Sequence, residues 1–193
     1  MRTRAVPRSF YERDPVVVAP ELLHKVLVTA RGAGRIVEVE AYDGANDPGS
    51  HAYRGPTPRT QLMFAAAGHL YVYFTYGMHW CANVVCRRPG VAAAVLVRAV
   101  SPMRGIDEMR AARPAARRDR DLCNGPAKLC AALGIDGSAN GVDVTRALSP
   151  VRIVDDGAVP PTGVVCTTRI GLTHGADLPW RWYVDGDPST SRR

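Results

Sequence analysis

The octapeptide Arg35-Ile-Val-Glu-Val-Glu-Ala-Tyr42 constrains this chain more than any other stretch, because it alternates like a strand and carries two carboxylates and a phenol on one face. Strand side chains alternate with period two, so Ile36, Glu38, Glu40 and Tyr42 point one way while Val37, Val39 and Ala41 point the other. The apolar set can pack on a core, which leaves the acidic set to water or a cleft. Glu is depleted in sheets, and two like charges on alternate residues lie about 7 Å apart and repel. The octapeptide is therefore either a solvated sheet face or part of a site that uses the charges.

The flanking pattern supplies partners for this strand. Asp14-Pro15 reads as an N-cap with proline at the first helical position of a short helix over Val16 to Leu23. Lys25 to Ala30 predicts a strand, Arg31 to Gly34 a turn, and Arg35 to Tyr42 the returning strand of a hairpin. The stretch from Asp43 to Thr60 is rich in Gly, Pro, Asn, Asp and Arg and predicts an exposed loop, a common carrier of function. Downstream, Leu70, Val72 and Phe74 alternate with Tyr71, Tyr73 and Thr75; Tyr76-Gly77 then makes a two-residue turn into a partner strand over Met78 to Cys86. Val91 to Val100 is a third strand, apolar apart from Arg98, and that lone charge predicts a buried ion pair or a strand end reaching a ligand.

Ser101-Pro102 predicts a helix through about Arg113, with Ile106 and Met109 turned inward, followed by a basic loop from Arg113 to Arg120. Asn124-Gly-Pro126 opens a second helix over Ala127 to Leu133, which Gly134 ends. Val151 to Val154, Val164 to Ile170 and Trp180 to Val184 read as late strands. The expected fold class is α+β: a single domain over residues 14–186 with a curved, mainly antiparallel sheet, a protruding β-hairpin and short helices. Residues 1–13 form a flexible arm and 187–193 a disordered tail.

Composition narrows the partners. At 193 residues and 46% hydrophobic, the chain suits one well-cored domain. It contains no run of 18 apolar residues, and the N-terminal charges precede no hydrophobic segment, so a cytosolic protein without a membrane is expected, nucleoid-associated if bacterial. Five cysteines with no CxxC pair and no zinc-ribbon spacing predict reduced thiols and neither metal nor cofactor. A net charge of +7 favours a polyanionic partner. Because only Lys25 and Lys128 are lysines, the arginine bias also reflects the base composition of the coding DNA.

Tyr76, at a turn tip, is exposed by geometry; it either wedges between base steps or folds back onto its own strands. Tyr71 and Tyr73 share a strand face behind that tip, and Tyr42 and His51 flank the acidic strand. Each ring alone suits a core, but as a set they suit a planar base, since base–aromatic stacking contributes about 1–3 kcal/mol per base. Cleaving a bond at a sugar C1′ passes through an oxocarbenium-like state that an adjacent carboxylate stabilises while deprotonating water. Such a general base contributes about 10²- to 10⁴-fold. The residues alone favour neither Glu38 nor Glu40.

Several ordered segments together resemble the alkyladenine (3-methyladenine) DNA glycosylase family: Arg35-Ile-Val-Glu-Val-Glu-Ala-Tyr42, Thr57-Pro-Arg59, Leu70-Tyr-Val-Tyr-Phe-Thr-Tyr-Gly-Met78, Leu96-Val-Arg-Ala99, Leu122-Cys-Asn-Gly-Pro-Ala-Lys-Leu-Cys130, Arg169-Ile-Gly-Leu-Thr-His174 and Trp182-Tyr-Val184. The resemblance implies a monofunctional base-excision repair enzyme that binds double-stranded DNA as a monomer and flips a damaged purine into a pocket. It implies Glu40 as general base with Arg98 near the catalytic water, and Glu38 as a supporting residue. Tyr42, His51 and Tyr73 match pocket walls, and Asn83 matches a residue that crowds the 2-amino group of guanine. Tyr76 matches the residue that fills the gap left by the flipped nucleotide. Arg59, Arg110 and Lys128 match phosphate contacts, although a loop one residue short between His51 and Met63 loosens the alignment of Arg54 and Arg59. The connection from Arg113 to Arg120 is short as well.

Three rivals make different predictions. A non-catalytic nucleic-acid-binding domain would bind DNA without needing Glu40. A glycosidase for free nucleosides would work without duplex and ignore Tyr76. A strand-cleaving enzyme would need Lys25, Lys128 or the N-terminal amine at the sugar to form a Schiff base.

Overall fold

Strand pairing follows most of the alternation read above. In the computed structural model, which describes residues 3–191, nine strands form one open antiparallel sheet: β1 (Arg4–Ala5), β2 (Val26–Val28), β3 (Ala33–Tyr42), β4 (Leu70–Thr75), β5 (His79–Val85), β6 (Ala94–Arg104), β7 (Arg152–Asp155), β8 (Val164–Thr167) and β9 (Arg181–Val184). The order is β1-β7-β2-β3-β6-β5-β4, and β9 pairs with both β8 and the second half of β3. Four helices accompany it: α1 (Arg8–Tyr11), α2 (Pro15–Leu22), α3 (Ile106–Ala112) and α4 (Pro126–Leu133). The result is a single α+β domain.

The main core lies between one sheet face and the helices. Leu70 and Val72 of β4, Val84 of β5 and Val95 and Val97 of β6 pack there against Leu22 of α2 and Leu129 and Leu133 of α4. Each such fully buried side chain contributes roughly 1.5–3 kcal/mol. Asp14 caps α2 by accepting from the Val16 amide at 2.9 Å, with Pro15 at the first helical position as the sequence predicts. The opposite sheet face carries a smaller cluster of Ala52, Met63, Tyr71, Val85, Ala92 and Ala94.

The acidic strand departs from simple alternation. Along β3 and β6, Ile36 faces Val100, Glu38 faces Ala99 and Val39 faces Val97, so Val37 and Arg98 are each left without an opposite number. These paired bulges reset the parity of both strands. Ile36 therefore joins Val39 and Ala41 in the main core rather than sharing the acidic face. Both faces of β3 are buried, which rules out a solvated face for Glu38 and Glu40.

Two further expectations are corrected. The helix expected from Ser101 is strand: β6 runs on to Arg104, and α3 begins only after Gly105, whose φ of 78° and 2.2 Å Cβ clearance to the Arg31 carbonyl admit no other residue without strain. The loop from Asp43 to Thr60 is partly internal, with Asp47, Ser50, Ala52 and Thr60 buried. Near the two ends of the chain, β1 pairs with β7 and Ser189 is buried; Met1–Arg2 and Arg192–Arg193, the outermost parts of the expected arm and tail, lie outside the described residues.

Candidate active site

Glu38 and Glu40 are both wholly buried, and their partners separate them. Glu38 Oε1 accepts from Arg98 Nε at 3.0 Å, from Arg181 Nη1 at 3.0 Å and from Ser191 Oγ at 2.8 Å, while Oε2 accepts from the Ser191 amide at 2.6 Å. Glu40 Oε1 accepts from the Ile170 amide at 2.8 Å and pairs with Arg98 Nη1 at 3.1 Å; Oε2 accepts from the Tyr42 hydroxyl at 2.8 Å. Arg98, displaced by its bulge, thus bridges the two carboxylates in a buried ion pair, the first of the alternatives its sequence context offers, and also lines the pocket described next. Burial works against its charge, but Glu40 and Glu38 outweigh that and hold the guanidinium above its usual pKa.

Above Glu40 lies a pocket of about 210 Å3 whose wall includes Tyr42, His51, Tyr73, Tyr76, Asn83 and Arg98. Six predicted side chains, from four strands and two loops, thereby meet around one cavity. Glu40 itself sits behind the wall, but its three donors, Tyr42, Arg98 and Ile170, all belong to it. Tyr73 stacks edge-on to His51 with centroids 4.5 Å apart, and His51 Nδ1 lies 3.3 Å from the Tyr71 hydroxyl. Asn83 Nδ2 donates to the Tyr71 carbonyl at 3.1 Å, which leaves its Oδ1 as the group available to the pocket.

Titration in this pocket is displaced toward neutrality. Burial raises the Tyr42 phenol well above its usual value, with the Glu40 charge adding to the effect, and burial raises Tyr73 and Cys81 as well. His51 is pushed down, first by partial burial and then by the Arg59 cation. No neutral side chain in this wall is thereby made a stronger acid.

The hairpin of β4 and β5 carries Tyr76 at its tip. Met78 N–H closes the turn on Thr75 O at 3.2 Å, and since Thr75 pairs with His79 the connection is Tyr76-Gly77-Met78, one residue longer than the sequence suggests. Tyr76 has φ of 52° and is 83% exposed. A bulky residue in the left-handed region gains nothing from packing here, and such strain marks functional positions. The fold-back reading of Tyr76 is thus not what the structure adopts.

The three predicted phosphate contacts are spread around the site. Arg59 lies over the Tyr73 ring at 5.3 Å. Lys128 donates to Asn124 Oδ1 at 2.8 Å near the start of α4, whose Pro126 lines the pocket. Arg110 lies away from it, paired with Asp107 and Asp119 on the exposed surface. Sequence reasoning assigned no site role to Met63, Cys81, Leu96, Pro126, Ile170 and Leu172, all of which line the pocket. Two of these carried a signal: Cys81 precedes Asn83, and Leu96 precedes Arg98, by one strand period.

Comparison with known proteins finds relatives along nearly the whole chain. The family described as "Methylpurine-DNA glycosylase (MPG)" matches residues 9–188. A protein of Burkholderia orbicola named "Putative 3-methyladenine DNA glycosylase" is 57% identical over 183 residues, covering 94% of this chain and 88% of its own length. Relatives of the same name are 45% identical in Carboxydothermus hydrogenoformans and 46% identical in Methanoculleus marisnigri, each alignment covering 97% of this chain and 99% of the relative. Fold, pocket and relatives define an enzyme of the DNA glycosylase class, a hydrolase of N-glycosyl bonds. The chain belongs to the methylpurine-DNA glycosylase family.

Proposed function

We propose that this enzyme is a monofunctional glycosylase that turns alkylated or deaminated purines, of the 3-methyladenine, 7-methylguanine, hypoxanthine and ethenoadenine class, out of duplex DNA and hydrolyses their N-glycosyl bonds with water activated by Glu40. The observation that carries this reading is the setting of Glu40, a buried carboxylate whose every recorded donor is a pocket wall residue. Each carboxylate oxygen has two lone pairs, so Oε2 can still take a proton from water while accepting from Tyr42. As the bond to the base breaks, the same negative charge stabilises the cationic sugar.

The remaining residues divide the work. Arg98 holds Glu40 in place and lines the pocket near the reacting sugar. Tyr42, His51 and Tyr73 enclose the purine, and Asn83 crowds a guanine 2-amino group. Tyr76 fills the gap left in the duplex, at an unstacking cost of a few kcal/mol. Arg59, Arg110 and Lys128 take phosphates, Arg110 by exchanging exposed carboxylate partners whose pairing is worth little. The enzyme acts as a monomer without a cofactor, on chromosomal DNA, hence at the nucleoid if its host is bacterial.

Single-turnover release of base from duplexes carrying hypoxanthine, ethenoadenine or 7-methylguanine, by wild type and Glu40→Gln in parallel, tests this. Release of at least one base by the wild type alone supports it. If both proteins bind duplex and neither releases any base, the chain is acting on these lesions as a nucleic-acid binder only. A covalent adduct trapped by borohydride would contradict the water mechanism.

A further inference from the structure

Ser191 lies beyond the matched family segment, which ends at residue 188, and more than 150 positions from Glu38 in the chain, yet it touches the centre of the buried charge network. Its hydroxyl donates to Glu38 Oε1 at 2.8 Å and accepts from Arg98 Nη2 at 3.4 Å, and its amide donates to Glu38 Oε2 at 2.6 Å. The segment leading to it is itself held: Ser189 is buried, its amide donates to Asp187 Oδ1 at 2.8 Å, and the Thr190 hydroxyl donates to the Asp187 carbonyl at 3.0 Å.

The three nitrogens of Arg98 show what this does. Nε meets Glu38, Nη2 meets Ser191, and Nη1 meets Glu40. The guanidinium is planar and rigid, so fixing the Nε and Nη2 edge fixes where Nη1 stands. Glu38 Oε1 already has two arginines on it, whereas among the described residues the donor recorded on Oε2 is the Ser191 amide. Without that amide a buried carboxylate oxygen is left unsatisfied, and the carboxylate can relieve this by rotating toward an arginine. Any such rotation drags Arg98, and with it the hydrogen bond to Glu40.

We infer that Ser191 is a positioning residue for excision: by saturating Glu38 it locks the plane of Arg98 and so sets the orientation of Glu40 behind the pocket wall. The inference rests on the reading of Glu40 and Arg98 as the reacting pair. It makes the segment after β9 a support of the reacting groups, although none of its described residues lines the pocket.

The test measures single-turnover excision, affinity for lesion-bearing duplex and thermal midpoint in full-length Ser191→Pro, Ser191→Ala and Ser191→Thr, with wild type and Glu40→Gln as references. Ser191→Pro removes both donors and should slow excision by about tenfold or more, the scale of hydrogen bonds to a charged group, at unchanged duplex affinity. Ser191→Ala keeps the amide and should fall between, and Ser191→Thr keeps both groups and should restore the rate. Wild-type rates in Ser191→Pro would overturn the inference, as would losses of rate and affinity that merely follow the fall in thermal midpoint. Should Ser191→Pro not fold, a Ser191→Ala rate equal to wild type with Ser191→Thr also equal overturns it instead. Absence of excision by the wild type would overturn the proposed function and is a distinct outcome.

Discussion

Asp47 and Arg169, 122 residues apart in the chain, close a two-point ion pair at 2.5 and 2.7 Å with neither side chain open to solvent. Arg169 also donates to the carbonyls of Ala41 at 2.9 Å and Gly175 at 3.0 Å, and its guanidinium lies over the rings of Tyr42 and Trp180. The pair therefore ties the loop after β3 to the segment before β9 on either side of Glu40, and the next residue, Ile170, supplies the amide that Glu40 accepts.

Asp47→Ala should accordingly be among the most damaging single changes away from the reacting groups. Removing one partner leaves a buried, uncompensated charge, which costs about 3–5 kcal/mol. Urea unfolding measures the loss. A destabilisation below roughly 1 kcal/mol, the worth of an exposed pair, would mean that water reaches Arg169.

Tyr76 should show the opposite profile. It is exposed and sits at φ of 52°, so Tyr76→Asn should leave stability unchanged or raise it by up to ~1 kcal/mol, since Asn tolerates the left-handed region. If Tyr76 fills the gap as proposed, the same change should also reduce the fluorescence response of 2-aminopurine placed beside a lesion. A normal response would return Tyr76 to an ordinary turn residue.

Asn83 offers a test of discrimination. Its amide is fixed by the Tyr71 carbonyl on the facing strand, so Oδ1 presents a rigid edge to the pocket. Asn83→Ser shortens that edge and should raise release of undamaged guanine above the wild-type background, counted by chromatography of freed bases. An unaltered background would remove its role as gatekeeper.

How much of this was legible in the sequence depended on how local the determinant was. The β4 and β5 hairpin, its tyrosine face and the exposed Tyr76 follow from alternation plus a turn, and all lie in the one continuous stretch from Leu70 to Val85. The Ser101-Pro102 signal misled because it is a local helix start that tertiary pairing with β3 overrides until Gly105. The paired bulges at Val37 and Arg98 left no local mark, so Ile36 was read onto the wrong face. The distinction between Glu38 and Glu40 was illegible from the residues, since it is made by partners at positions 98, 170, 181 and 191. The ion pair of Asp47 with Arg169 was hidden for the same reason.

The titration of His51 supplies a pH prediction with a definite sign. Partial burial and Arg59 both disfavour the imidazolium, so its pKa lies below the usual value of about 6.5. Between its depressed folded pKa and that unfolded value the folded state binds fewer protons, so stability from this group is fully present above the unfolded pKa and is lost as pH falls through the folded one. Arg59→Ala removes one of the two causes and should move the imidazole resonances to a higher titration midpoint by NMR. An unmoved midpoint would separate Arg59 from the pocket in solution.

The same displacement governs which bases should leave readily. A cationic purine such as 7-methylguanine departs neutral, whereas hypoxanthine departs as an anion unless something protonates it. In this pocket Tyr42, Tyr73 and Cys81 are shifted toward holding their protons, and His51 toward having none to give. Excision of hypoxanthine relative to 7-methylguanine should therefore fall as pH rises, because acid must come from solvent or from the minor imidazolium form. Single-turnover rates for both duplexes from about pH 5.5 to 8.5 give the ratio directly. A ratio independent of pH over that range would require an internal acid, and the groups around His51 would be the first to mutate in finding it.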